Sequence, residues 1–113
     1  MTALQALSDP TRQRIVEMLA SGALSSGEIA GRFKLSAPAI SQHLKTLKTA
    51  RLVTVRTDKQ RRIYTLDPDG VAEVAEWVDR IRAFWNPKLD ALEAALAASG
   101  SEASGHGKKK DTA

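Results

Sequence analysis

The sequence predicts a mainly helical α+β domain with one small β-hairpin, and three observations predict it. Apolar residues recur at helical spacing up to Ala50, the period shortens to two between Leu52 and Leu66, and helical spacing returns after Asp67. Proline follows aspartate at Asp9-Pro10 and Asp67-Pro68, a pairing that caps and opens a helix. A length of 113 residues suits one core. That core is expected within residues 1–98, with a low-complexity, disordered tail over 99–113.

Each element follows from its own residues. Leu4 and Leu7 give Thr2 to Leu7 the edge of a short helix. Asp9 caps a second helix, whose apolar face is Ile15, Val16, Leu19 and Ala20 and which stops at Ser21-Gly22. A third helix starts at Ser25 or Ser26, where Glu28 allows a capping box with Ser25; Ile29, Ala30 and Phe33 form its buried face. Ser36 caps the next, with Pro38 in its first turn. Two short helices joined by three or four residues make a helix-turn-helix.

The β-branched runs Leu52–Thr57 and Arg62–Leu66 then flank the polar turn Asp58-Lys59-Gln60-Arg61. Helix-turn-helix followed at once by a hairpin is a winged helix, with the wing at about 52–66. The final helical segment carries Val71, Val74, Ala75, Val78, Ile81, Arg82 and Trp85. Asn86-Pro87 interrupts it, as a kink or as an end followed by a fresh helix.

The fourth helix, at about 36–49, holds the most information. Ile40, Leu44 and Leu47 share one face. Ser41, Gln42, His43, Lys45, Thr46 and Lys48 occupy the other, which holds no carboxylate. Such a face suits the major groove of DNA. An ordinary amphipathic helix with a solvated face explains this segment alone equally well.

Charge distribution separates the two readings. Residues 31–66 hold nine basic side chains against Asp58 alone, whereas residues 1–30 carry a net charge of −1 and residues 67–97 a net of −4. A basic middle between acidic ends points to a polyanion met by one face.

Other function classes lose support. There is no cysteine, and the two histidines are His43 and His106, too few for a converging metal site. No glycine-rich phosphate loop and no Ser/His/Asp grouping is present, so neither an enzyme nor a bound cofactor is expected. No apolar run reaches the ~18 residues of a membrane span and no secretory signal is read, so a cytoplasmic protein without membrane contact is expected.

With Ala6-Leu7-Ser8-Asp9-Pro10-Thr11-Arg12, Leu35 to Leu47 (LSAPAISQHLKTL) and Ala50-Arg51-Leu52-Val53 in order, the chain resembles the ArsR/SmtB (arsenic-repressor-like) family of winged helix-turn-helix regulators over about residues 3–97. The resemblance implies a homodimer whose recognition helices enter successive major grooves of an imperfect palindrome in double-stranded DNA. It also implies repression, which in many members an effector releases; an unidentified effector stays open. Two departures stand out. Family members often carry glycine in the slot of Arg51. Metal-sensing relatives place a cysteine pair where this chain has Leu24 to Ile29, or Asp and His ligands on a last helix that here lacks histidine, so a metal sensor is not expected.

Short side chains early in the recognition helix reach base edges, which assigns base contacts to Ala39, Ser41, Gln42 and His43. Backbone contacts go to Ser36, Lys45, Thr46 and Lys48, and in the wing to Lys59, Arg61 and Arg62. Surplus apolar residues Leu4, Leu7, Trp77, Ile81, Phe84, Trp85, Leu89, Leu92 and Leu96 assign a dimer interface to the terminal helices. Two alternatives remain at this level: a winged-helix module that binds protein, and a nonspecific DNA-binding protein.

Overall fold

The computed structural model describes residues 2–100. The elements run α1 (Ala3–Ala6), α2 (Pro10–Ala20), β1 (Leu24–Ser25), α3 (Ser26–Ala30), α4 (Ala37–Thr49), β2 (Val53–Asp58), β3 (Arg61–Leu66) and α5 (Pro68–Ser99). The expected tail lies, from residue 101 on, outside the described residues.

Side-chain caps fix where the early helices start. Thr2 and Ser25 each close a capping box, with Gln5 and Glu28 as the returning partners. Asp9 accepts from the N–H of Arg12 with Pro10 behind it, and Ser36 accepts from the N–H of Ala39. Of the four apolar residues expected to bury α2, Ile15 and Leu19 do so and Val16 is half-buried. Ala20 is exposed, because it lies in the last turn beside Ser21 and Gly22. Likewise α3 ends at Ala30, and Phe33 reaches the core from the following turn, half-buried.

The sheet has three strands in the order β1-β3-β2, both pairs antiparallel. The hairpin is the expected one; β1 is an addition. It holds only Leu24 and Ser25, opposite Tyr64 and Ile63, and two residues are too few to display a period. The wing closes through Lys59 and Gln60, with Asp58 opposite Arg61 and Lys59 at φ 60°.

Two compact units divide the chain, Met1–Glu76 and the segment from Trp77 onward. The core of the first gathers Ile15, Leu19, Ile29, Ile40, Leu44, Leu47, Leu52, Val53 and Tyr64, with Val74 of the early α5 packed on it. In α5 the helix continues through Pro87, so Asn86-Pro87 neither ends nor restarts it. Pro87 lacks the N–H that would bond four residues back, a loss the remaining α5 ladder spans.

Candidate nucleic-acid interface

Helix α4 divides as its sequence dictates. Ile40, Leu44 and Leu47 are 2%, 2% and 0% exposed, which fixes the helix's rotation and turns Gln42, Lys45 and Thr49 away from the core. Ser41 and Lys48 flank that outer face on one side; Ala39, His43 and Thr46 flank it on the other, all three half-buried. The Ser36 hydroxyl accepts from Ala39, leaving its own proton free to donate.

Between α4 and β3 lies a cleft of about 220 Å³ lined by Ser41, Lys45, Lys48, Arg62 and Tyr64 among others. Helix and wing thus bring together four of the sequence-assigned contact residues. Tyr64, 6% exposed, was not among them; as an aromatic in a strand run it carries only a core signal. Arg61 differs from Arg62. Its guanidinium lies 3.5 Å from Glu28 Oε1, an oxygen that also accepts from the Ser25 N–H at 2.8 Å. That backbone bond, then the Ser25 hydroxyl, holds the Glu28 carboxyl below its ordinary range. Arg61 therefore has a carboxylate partner within the protein, whereas Lys59 and Arg62 have none among the described residues.

On the other flank, His43 Nδ1 lies 3.3 Å from Arg12 Nη1 and 3.9 Å from Asp9 Oδ2. Arg12 in turn donates from Nε to the Ala6 carbonyl at 2.6 Å. The Asp9 carboxyl is held below its ordinary value chiefly by the Arg12 backbone N–H. Arg12 and Asp9 belong to the Ala6–Arg12 motif, which marks the family but gives no hint of a link to His43.

Of the nine residues assigned to a dimer interface, Leu4 and Leu7 belong to the first unit, both half-buried, and Leu7 packs on the core. The other seven belong to the second unit and are exposed, from 41% at Ile81 to 60% at Leu96. Phe84 and Trp85 meet edge to face at 5.6 Å, with the Lys88 ammonium 3.8 Å from the Phe84 ring centre.

Residues 9–55, from the α2 cap into β2, match the model of "Bacterial regulatory protein, arsR family". An HTH-type transcriptional regulator of Mycobacterium tuberculosis is 53% identical over 87 residues, covering 77% of this chain and 78% of the relative. The chain belongs to the arsR family. Another relative, the transcriptional repressor SdpR of Bacillus subtilis, is 35% identical over 66% of this chain and 82% of its own length. A crystal structure described as a "possible transcriptional regulator for arsenical resistance" superposes with a TM-score of 0.69 at 41% identity, over 84% of this chain and 96% of that one. Membership makes this arsR-family chain a DNA-binding transcription regulator and not an enzyme. Among the described residues, no three His, Cys, Asp or Glu side chains gather as a metal site would require, and no helix is long and apolar enough to cross a membrane.

Proposed function

We propose that this arsR-family regulator is a homodimeric repressor of the cytoplasm that binds an imperfect palindrome, with α4 in the major groove and the wing on flanking DNA. The observation that carries the reading is the outer face of α4, free of carboxylates and continuous with the cationic cleft at Lys45, Lys48 and Arg62. Ala39, Ser41, Gln42 and His43 meet base edges, Ala39 through a thymine methyl and Gln42 through a bidentate adenine pairing. Ser36, Lys45, Thr46, Lys48, Lys59 and Arg62 meet phosphates, which set register and carry no sequence information. Arg61, whose guanidinium lies 3.5 Å from Glu28 Oε1, joins them with that carboxylate beside it.

Dimerisation is supported by the exposed apolar residues on α5. Trp77, Ile81, Trp85, Leu89, Leu92 and Leu96 recur at intervals of three and four, so one face of the helix is available to a second copy. Two recognition helices related by a two-fold axis read half-sites about one helical turn apart.

The test is selection of sites from a random duplex library at low and near-physiological salt. The expected result is an inverted repeat enriched at both salts. Binding that vanishes at the higher salt with no enriched motif would replace this reading by nonspecific phosphate attraction. No binding at either salt would leave a protein-interaction module.

A further inference from the structure

The ring of His43 has one nitrogen committed. Arg12 Nη1 stands 3.3 Å from Nδ1. A guanidinium is always charged, has donors only and does not deprotonate in a protein, so a hydrogen bond between them requires Nδ1 to accept. The neutral imidazole then carries its proton on Nε2, which has no protein partner among the described residues. The other charged group facing the ring is Asp9; at 3.9 Å from Nδ1 it is beyond hydrogen-bond reach, and its Oδ2 already accepts from the Arg12 N–H at 3.0 Å. Helix α1, the third neighbour, carries no charged side chain and contributes the Ala6 carbonyl, which holds Arg12 Nε at 2.6 Å. Arg12 is thus pinned at its backbone N–H and at Nε, and Nη1 of the guanidinium meets the imidazole.

We propose that Arg12 is a positioning residue of the recognition helix: it fixes His43 as the Nε2–H tautomer, so that this side chain meets DNA only as a donor. A fixed donor can donate only to an oxygen or ring nitrogen of DNA, such as guanine O6 and N7, thymine O4 or a phosphate oxygen. It rejects the amino groups of adenine and cytosine at that position. The inference rests on the DNA-binding reading of α4. The tautomer itself is measurable without DNA.

Imidazole 15N correlation spectra of the intact, labelled protein at mildly alkaline pH test the first part. His43→Ala assigns the signals, since the chain has two histidines. The expected pattern is a protonated Nε2 and a bare Nδ1 displaced by the bond it accepts, with the displacement lost in Arg12→Met. A proton on Nδ1, or spectra that Arg12→Met leaves unchanged, overturns the lock. Should Arg12→Met lower the melting temperature, Arg12→Lys carries the same test, because one ammonium on an unbranched stem does not span both Ala6 and His43.

Anisotropy titrations on the selected duplex test the second part. Arg12→Met and His43→Ala are each expected to lose affinity about fivefold to tenfold, and the double variant no more than either alone. Losses that multiply overturn the positioning role while leaving DNA binding intact. No specific binding by the unaltered chain overturns the DNA reading itself, whatever the tautomer. Repeating the site selection with His43→Ala separates the acceptors: preference lost at one position means a base, uniform weakening means a phosphate.

Discussion

The carbonyl oxygen of Arg51 accepts the backbone N–H of Gly70 at 2.8 Å, and the two backbones approach so closely that a Cβ on residue 70 would collide with that oxygen. The Asp67 N–H adds a second bond to the Leu52 carbonyl, also at 2.8 Å. The end of α4 is thereby joined to the start of α5. Arg51 reaches this position at φ 61°, the left-handed turn of a Schellman motif in which the Leu52 N–H bonds the Leu47 carbonyl and the Arg51 N–H bonds that of Lys48. Helix α4 ends at Thr49, and the turn that follows it is held to α5 by the Gly70 N–H.

Replacing Gly70 by alanine should accordingly be costly. The Cβ forces backbone apart rather than a flexible side chain, and an overpacked site of this kind loses about 2–3 kcal/mol. Urea unfolding midpoints measure it. Gly31→Ala is the control: its nearest atom is 3.4 Å away and its φ is −65°, so a gain of about 0.5 kcal/mol is expected. Equal effects at the two sites would disprove the close approach.

Arg51→Gly should stabilise the protein by roughly 1 kcal/mol, because glycine adopts the left-handed turn without the Cβ penalty. The ion pair lost with the arginine, 3.7 Å from Asp69 and with both side chains more than two-thirds exposed, contributes little. A lower melting temperature in Arg51→Gly would show that the arginine side chain matters more than its backbone.

Acid should weaken the fold through Asp9 and Glu28. Both carboxyls titrate below their ordinary values of 3.8 and 4.5 in the folded chain, so the unfolded chain binds protons first as pH falls. Their contribution is present above the unfolded values and is lost as pH drops through the folded ones. Stability measured from pH 6 to 2 should decline less steeply below about pH 4 in Asp9→Asn and Glu28→Gln. Curves parallel to that of the unaltered chain would exclude these two caps as the source.

Recognition and wing residues should fail in different ways. Gln42→Ala is expected to relax preference at one base position, whereas Lys59→Ala weakens every sequence alike. Arg62→Ala should reduce the slope of log affinity against log salt by about 1. Arg61→Ala should change it less, since Glu28 already engages that guanidinium. The same uniform loss for Gln42→Ala and Lys59→Ala would refute this sorting.

Sedimentation at micromolar concentration should find a dimer, and Trp85→Glu or Leu92→Glu a monomer. Both side chains are about half exposed in the single chain, and a carboxylate buried there between two copies is strongly disfavoured. A monomer in the unaltered chain would remove the dimer from the proposed function.

The sequence by itself determined what repeats or caps. The capping residues Asp9, Ser25 and Ser36, the apolar face Ile40-Leu44-Leu47 and the β-branched runs of the wing each act within a few residues, so the helix-turn-helix and hairpin were legible. So was the cationic character of the middle segment. Tertiary structure decided what depends on distant partners. The pairing of Leu24-Ser25 with β3, the capture of Arg61 by Glu28, the meeting of Arg12 with His43 across 31 positions, and the seat of Arg51 on Gly70 leave no periodic trace. Each is a single contact between segments far apart in the chain, and only packing the shared core brings those segments together.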